Sequence, residues 1–408
     1  MKARPYLFIT ILFILLASIL FITIKLLSRD QTDRLVVEGI ESFSYDRTEG
    51  ENRYLLFYPA DWRVSQSFTL VREVTSDGEI VDEYEIHDED FRRMSIHQKP
   101  TDMNTLYLSM YGEATIDNWF YTFDIEKGSF KKMPIHYFTH EAGVNHIKHY
   151  GEDVLFNTVV SHVTGDQDLD PLTGQFKMSF SNFTTEESFE TDLGREPSSR
   201  PVLQFNGKLI YSGDGSTAEL DEGYLDQRFV AFVDEETGVR KYTNFGFDPY
   251  VSFAPIYANQ DYAYILAETG ELIVLDGNFK EQIFRPFKEF ASANNNYSFE
   301  DRDNYLMIDE ERALFIVYDF ETDLNTFGIL AFGEEPSFNL LEKDYINRSS
   351  YYRLLYQDPV QGIIYVLERN EGFPDEDGKL LIIDSDTFDL VDEVPVKYQY
   401  LLDMVIRR

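Results

Sequence analysis

The chain has 408 residues, a formal net charge of −37 and no cysteine. Without thiols it can form no disulfide scaffold, thiolate zinc site, iron–sulfur cluster or cysteine nucleophile. The negative charge argues against nucleic acid and anionic lipid head groups as partners, because like charges repel over a Debye length. The 34 Phe and 27 Tyr residues favour strands over helices, since flat side chains pack well on pleated sheets.

The first element is an apolar segment, Tyr6–Ile24, in which only Thr10, Ser18 and Thr23 are polar. At about 1.5 Å of rise per residue, a helix of this length just crosses the hydrocarbon core of a bilayer. A cleaved signal peptide and an uncleaved signal anchor are the two interpretations. The anchor is favoured because the segment is longer than a usual signal-peptide core and no Ala-x-Ala site or lipobox cysteine follows it.

The sequence therefore predicts three parts: a transmembrane signal anchor over residues 1–27, a juxtamembrane spacer over 28–34 and a folded domain over 35–408. Two basic residues precede the apolar segment and three follow it closely, so the positive-inside rule alone would place the domain inside. Long domains, however, translocate largely regardless of this charge bias. We expect a single-pass protein of the cell membrane whose C-terminal domain is extracytoplasmic.

Short apolar runs separated by turn signals follow throughout the domain. The most regular group, Tyr262–Phe284, has three runs joined by two short turns, which is the pattern of an antiparallel meander. Tight turns are also predicted at Asp77-Gly78 and Asn206-Gly207. An Asp recurs at the end of an apolar run, where its carboxylate can accept backbone N–H groups of the turn, at Asp124, Asp234, Asp276, Asp319 and Asp384.

The spacing of these Asp residues indicates a repeated unit. The intervals run from roughly 40 to 110 residues, and the larger ones are about twice the length of one propeller blade. About seven four-stranded blades would account for the domain. A blade is covered on both faces by its neighbours, which explains unbroken apolar runs such as Leu314–Val317 and Leu380–Ile383. The predicted fold class is all-β: a β-propeller preceded by one N-terminal transmembrane helix.

The last segment, Tyr398–Arg408, is one strand more than the seventh blade requires. A ring whose first and last blades share strands has no free sheet edge that could aggregate. We therefore predict that this segment pairs with the first blade near Tyr54–Tyr58.

Two stretches carry a resemblance to known repeats: Val233-Asp234-Glu235-Glu236-Thr237-Gly238 and Ile383-Asp384-Ser385-Asp386-Thr387. This order of strand, Asp, turn, Thr or Gly resembles the broad YVTN-like and quinoprotein-like group of extracytoplasmic bacterial β-propellers. The resemblance covers most of the chain after residue 35 and points to no specific member. The Gly-His and Trp-Asp pattern of WD repeats is missing, and most units lack the Trp of quinoprotein blades. The cofactors of those families are therefore not implied.

Two groups of residues are weak candidates for a metal site. His136 and His140 would share one face of a strand, but the order is not His-Glu-x-x-His, so solvated histidines are the simpler interpretation. Asp166, Asp168 and Asp170 place oxygens at alternate positions, as a calcium loop does. A Pro replaces the turn Gly and a Lys occupies the last ligand position, which favours a solvated acidic insertion over calcium.

No catalytic motif is recognisable: the sequence has no Gly-x-Ser-x-Gly elbow, P-loop or dinucleotide fingerprint. The leading hypothesis is a non-enzymatic scaffold that binds a protein, a peptide or an envelope polymer at one rim, built by loops around 163–197 and 333–350. The alternative is a carbohydrate-active hydrolase or lyase with carboxylates in the central channel. Two convergent buried carboxylates with an Arg or His at the channel mouth would favour the enzyme.

Overall fold

The computed structural model describes residues 34–45, 52–61, 65–110, 119–134, 146–150, 153–159, 177–182, 188–192, 196–197, 202–214, 228–237, 239–286, 297–298, 305–319, 324–369, 377–398 and 400–408. Within these ranges the chain forms strands and turns, with one 3-10 turn at Ile40–Ser42. No helix in the described part of the chain is long and apolar enough to span a bilayer. The predicted anchor, residues 1–27, lies outside the described residues.

The strands of the first four sheets follow the chain in order. The first sheet holds β1 (Leu35–Glu38), β2 (Arg53–Tyr58), β3 (Thr69–Thr75) and β4 (Ile80–His87). The second holds β5 (Met94–Lys99), β6 (Asp102–Met110), β7 (Trp119–Asp124) and β8 (Ser129–Pro134). The third holds β9 (His146–Tyr150), β10 (Asp153–Val159), β11 (Lys177–Asn182) and β12 (Ser188–Asp192). The fourth holds β13 (Glu196–Pro197), β14 (Leu203–Phe205), β15 (Lys208–Asp214), β16 (Arg228–Asp234) and β17 (Arg240–Thr243).

The remaining strands form three further sheets and complete the first. The fifth sheet holds β18 (Phe253–Ala258), β19 (Tyr262–Ala267), β20 (Leu272–Asp276) and β21 (Glu281–Phe284). The sixth holds β22 (Tyr297–Ser298), β23 (Tyr305–Met307), β24 (Arg312–Asp319), β25 (Leu324–Ala331) and β26 (Ser337–Leu340). The seventh holds β27 (Tyr351–Asp358), β28 (Ile363–Arg369), β29 (Gly378–Asp384) and β30 (Leu390–Val396). The last strand, β31 (Met404–Arg407), belongs to the first sheet.

The seven sheets described are arranged as the blades of a propeller. The second, third, fifth and seventh sheets are antiparallel meanders in chain order. The first sheet adds the parallel edge strand β1 beside β4 and the C-terminal strand β31 beside β2. In the fourth and sixth sheets, two short strands pair with the same edge of the next strand. The first strands of neighbouring sheets contact one another, as β5 does β9 and β14 does β18, so these strands line the axis of the ring. The meander predicted over Tyr262–Phe284 is confirmed as β19, β20 and β21. The prediction of an all-β propeller is therefore confirmed.

The C-terminal strand closes the ring, as predicted. β31 pairs antiparallel with β2, with Leu55 opposite Ile406 and Phe57 opposite Met404. It supplies the inner strand of the first sheet, in which β2, β3 and β4 are the second, third and fourth strands. The pairing joins residues about 350 positions apart in the chain, so sheet edges that would otherwise be free are satisfied.

Hydrogen bonds join the seventh sheet to the first sheet and to its closing strand, β31. The Tyr54 hydroxyl donates to Asp392 Oδ2 at 2.6 Å, and the Tyr356 hydroxyl donates to the Val405 carbonyl. The Arg407 amide donates to the Tyr365 hydroxyl at 3.1 Å. One apolar cluster accordingly extends from the first sheet into both the second and the seventh, and it contains all three apolar residues of β31.

Four of the five strand-terminal Asp residues perform the predicted role. Asp124, Asp234, Asp276 and Asp384 each end the third strand of a sheet, and the Oδ1 atom of each accepts backbone N–H groups of the following turn. Asp319 instead ends β24, the second strand of the sixth sheet. Residues 320–323 of its turn lie outside the described residues. The predicted Asn206-Gly207 turn is confirmed, with φ of 48° and 72°.

The turn at Asp234 predicts a loss of stability in acid. The Thr237 hydroxyl and amide, together with Lys208, lower the pKa of Asp234 from 3.8 to about 2. Because the folded-state pKa lies below the unfolded one, this contribution is present above the ordinary pKa and is lost as the pH falls towards 2. Denaturant midpoints measured from pH 5 to pH 2 should fall less steeply for Asp234→Asn than for the wild type. Parallel curves would contradict this assignment.

A second stability prediction concerns Gly328 on β25. A Cβ atom added at this position would overlap the ring of Phe338, which packs across the backbone of Gly328. Gly328→Ala should therefore destabilise the domain by about 1–3 kcal/mol, the usual result of overfilling a packed site. Thermal unfolding measures the change. The double variant Gly328→Ala/Phe338→Leu should recover most of it, whereas a Gly328→Ala domain as stable as the wild type would refute the contact.

Candidate functional site

The two ends of the ring differ in their connections. We define the upper face as the end at which the first strand of each sheet begins. It carries the segments that join successive sheets, among them residues 88–93, 244–252, 347–350 and 397–403. The opposite end, the lower face, carries short hairpin turns such as 206–207, 277–280 and 385–389. Longer connections therefore concentrate on the upper face, where loops of a rigid scaffold usually hold ligand-binding groups.

Three tyrosines are exposed on the upper face. Tyr250, Tyr351 and Tyr398 are between 38% and 61% exposed. Tyr351 is the first residue of β27, whereas Tyr250 and Tyr398 lie in the connections that lead to β18 and β31. Within the described ranges, they are the aromatic residues among the large exposed hydrophobic side chains. The remaining ones are aliphatic and lie on the outer strands and the lower turns. Exposed tyrosine is typical of binding surfaces, because its ring supplies contact area and its hydroxyl a hydrogen bond.

One of these tyrosines is fastened by a cation–π contact. The Arg72 guanidinium lies 5.5 Å from the ring centre of Tyr58 and 5.7 Å from that of Tyr398, and its Nε donates to Glu83 Oε1 at 2.8 Å. Tyr398 has a φ of 54°, in the left-handed region that non-glycine residues rarely adopt. Burial raises the pKa of Tyr58, so this ring stays neutral beside the cation. The segment before β31 is thereby held against the first sheet.

A buried ionic cluster lies below the same face. Asp403 Oδ1 is 2.8 Å from Arg93 Nη2 and 3.2 Å from Arg353 Nη1, and its Oδ2 accepts the Met94 amide at 3.0 Å. Arg93 Nη1 is also 3.7 Å from Asp61 Oδ2 and donates to the Tyr400 carbonyl. Asp403 itself donates its amide to the Phe57 carbonyl. One carboxylate therefore joins the first, second and seventh sheets.

This cluster brings two carboxylates and an arginine together at the upper end of the inner strands, which resembles the arrangement expected to favour an enzyme. Its burial argues for a different role. Asp61, Arg93 and Asp403 are all almost completely buried, so no substrate reaches them on this surface. Both oxygens of Asp403 are engaged by protein donors. A carboxylate held in this way stabilises the junction of three sheets and is not positioned to donate or accept a proton from a glycan.

The fifth and seventh sheets each contain a hydrogen-bonded Ser–Glu pair at the upper face. In the seventh sheet, the buried Ser350 donates from Oγ to Glu368 Oε1 at 2.6 Å. In the fifth sheet, the Ser252 amide donates to Glu268 Oε2 at 3.0 Å, and Arg228 also contacts that carboxylate. In both cases a Ser just before the inner strand meets a Glu at the end of the second strand. Each pair holds the start of an inner strand in place beside an exposed tyrosine, Tyr250 in the fifth sheet and Tyr351 in the seventh.

His136, His140, Asp166, Asp168 and Asp170 all lie outside the described residues. Among the residues that are described, no group of three or more His, Asp or Glu side chains could hold a metal ion. Most of the predicted rim over 163–197 is likewise undescribed. In the other predicted rim, 333–350, the Tyr345 hydroxyl donates to the Phe388 carbonyl, so part of that segment packs against a lower turn of the seventh sheet.

Sequence reasoning missed the ionic cluster, although two local signals were present. Asp403 interrupts the apolar run from Leu401 to Ile406, and a charge inside a strand that is otherwise apolar needs a buried partner. Arg92 and Arg93 form a basic pair directly before a strand in a strongly acidic chain. Neither signal identifies the partner, since more than 300 residues separate Arg93 from Asp403.

Comparison with known proteins finds β-propeller structures of low similarity. No known protein family matches the sequence, and no curated protein does. The β-propeller domain of the trilobed protease from Pyrococcus furiosus is 11% identical, with a TM-score of 0.46 over 85% of this chain and 95% of that one. The β-propeller domain of Cps50 (Swd1) from Myceliophteria thermophila is 11% identical, with a TM-score of 0.41 over 74% and 86%.

A third structure, apo AztD from Citrobacter koseri, is 8% identical, with a TM-score of 0.39 over 88% of this chain and 97% of that one. Similarity at this level carries neither an activity nor a partner across to this chain. The sheet topology of the chain itself defines the class of protein: a β-propeller closed by its C-terminal strand.

Proposed function

We propose that this protein is a membrane-anchored, extracytoplasmic β-propeller that acts as a binding module for a protein, a peptide or an envelope polymer. The upper face of the ring is the binding surface. The single observation that carries this proposal is the exposure of Tyr250, Tyr351 and Tyr398 on that face. Aromatic residues of this kind dominate the energetics of protein interfaces and stack on the faces of sugar rings.

The proposed location is supported by the sequence. The apolar segment Tyr6–Ile24 is long enough to span a bilayer, and the negative charge of the domain is suited to a soluble domain held near a membrane. Protease added to intact cells should digest the domain while cytoplasmic markers survive. A domain that resists protease in intact cells, but not in lysed cells, would place it in the cytoplasm.

The binding face is tested by site-specific photo-crosslinking in intact cells. A photoreactive amino acid is placed at Tyr351 or Tyr398 on the upper face, or at the matched exposed positions Val360 and Ile283 elsewhere. Adducts with a defined protein, or with envelope polymer of the same cells, should form from the tyrosine positions and not from the controls. Equal crosslinking from all four positions, or none at the tyrosines, would contradict the assignment of this face.

The alternative function is a carbohydrate-active hydrolase or lyase. Asp61 and Asp403 converge on Arg93, as two catalytic carboxylates would, but all three side chains are buried, and the binding module is therefore the leading proposal. The test is incubation of the full-length protein with neutral and acidic glycans, followed by detection of new reducing ends or unsaturated sugars. Activity that disappears in Asp61→Asn, in a protein that melts like the wild type, would establish the enzyme. Absence of products from all the glycans would leave the binding module.

A further inference from the structure

Exposed aliphatic side chains are concentrated on the outer edge of the first sheet. Leu35 and Val36 on β1 and Ile80 and Val81 on β4 are 39–63% exposed. Elsewhere in the described ranges, the large exposed aliphatic residues occur one at a time: Val239, Ile283, Val360 and Val391. Isolated exposed aliphatics are ordinary, whereas a group on one edge indicates a contact surface. We call Leu35, Val36, Ile80 and Val81 the edge patch.

The edge patch lies where the polypeptide enters the ring. β1 runs parallel to β4 and pairs with no other described strand, so it is the outermost strand of its sheet. Arg34, immediately before it, is paired with Glu83 and Glu85 of β4. Ten residues, 25–34, separate β1 from the apolar segment Tyr6–Ile24. Fully extended, ten residues span at most roughly 36 Å.

This short connection restricts which part of the ring can approach the bilayer. The chain joins the ring at the rim of the first sheet, so that rim is the part nearest to the membrane whenever the apolar segment is inserted. The lower face is a poor membrane contact, because its turns carry exposed carboxylates such as Glu235, Glu310 and Glu334. The edge of the first sheet also carries exposed carboxylates, Glu38, Glu79 and Asp82, so its contact with a bilayer rests on the four aliphatic side chains and requires head groups without net charge.

We propose that the edge patch rests on the lipid bilayer at the level of the headgroups, so that the propeller stands on the rim of its first sheet. This inference rests on the proposed membrane anchor. Its partner is a lipid surface of low net charge, since the strongly acidic chain repels anionic head groups. The upper face then lies to the side of the contact, and its tyrosines remain open to a partner.

The absence of cysteine allows a direct test. Full-length protein carrying Val36→Cys or Val81→Cys is labelled with a polarity-sensitive fluorophore and reconstituted into phosphatidylcholine vesicles that contain nitroxide-labelled lipid. Val239→Cys and Val360→Cys, at exposed positions on the lower turns, are the matched controls. We expect at least a twofold stronger quenching by the nitroxide lipid at positions 36 and 81 than at the controls.

Vesicle flotation, measured on the same samples, distinguishes a failure of the edge-patch proposal from a failure of the membrane anchor. Protein that floats with the vesicles while positions 36 and 81 are quenched no more than 239 and 360 retains its anchor and overturns the edge-patch proposal. Crosslinking between position 36 of two copies, without lipid quenching, also overturns it and assigns the patch to self-association. Protein that does not float overturns the membrane anchor, and the edge-patch proposal with it.

Discussion

Removing residues 398–408 is expected to abolish cooperative folding of the whole domain. The deletion takes away β31 and with it the buried side chains of Leu402, Met404, Val405 and Ile406. At about 1.5–3 kcal/mol for each buried aliphatic side chain, the loss is roughly 6–12 kcal/mol. That range is comparable with the entire stability of a typical domain, about 5–15 kcal/mol.

Circular dichroism during heating measures this effect. The shortened protein should show no sharp transition, and a synthetic peptide of residues 398–408 should restore one, because the peptide can re-form the pairing of β31 with β2. A point-mutation control with an intact strand, Glu393→Ala on the exposed outer strand β30, should melt like the wild type. A shortened protein that melts at the temperature of the full chain would show that the ring does not depend on its last strand.

Replacing the buried Asp403 by Ala is expected to cost about 3–5 kcal/mol, the usual effect of removing one partner from a buried ion pair. The substitution leaves Arg93 and Arg353 without the carboxylate that neutralises them and removes the acceptor of the Met94 amide. Asp403→Asn should cost less, because the amide oxygen still accepts hydrogen bonds. Urea unfolding followed by tryptophan fluorescence measures both variants.

The matched control for Asp403 is an exposed ion pair. Lys379 Nζ and Glu393 Oε1 are 2.9 Å apart at the surface of the seventh sheet. Exposed pairs contribute about 0–1 kcal/mol, so Glu393→Ala should change the stability little. If Asp403→Ala lowered the stability as little as Glu393→Ala does, the result would contradict the role of the ionic cluster in joining the three sheets.

The sheets could be predicted from the sequence because the central strands of a propeller blade are covered on both faces by the neighbouring blades. The apolar runs at Leu272–Leu275 and Leu380–Ile383 mark such strands directly. The strand-terminal Asp was a weaker guide. A carboxylate caps any turn, so it also occurs at Asp319 after a second strand, where the repeat would not place it.

The candidate site could not be predicted in the same way. Among 73 acidic and 36 basic residues, no local pattern pairs Asp403 with Arg93 or Arg353, because the pairing exists only after the ring closes. The sequence also does not distinguish the exposed tyrosines from the buried ones. Tyr264 and Tyr365 are fully buried, whereas Tyr351 is exposed, and all three lie in similar strand sequences.

The most direct test of the closed ring is a disulfide across its last strand. Leu55 and Ile406 are directly opposite in the pairing of β2 with β31, and opposite residues have Cβ atoms about 4.5–5.5 Å apart. In this cysteine-free chain, Leu55→Cys/Ile406→Cys should oxidise to an intramolecular disulfide during folding. Leu55→Cys/Val405→Cys should not, since its side chains point to opposite faces of the sheet. No disulfide in the first pair, or equal yields in both, would contradict the closure of the ring.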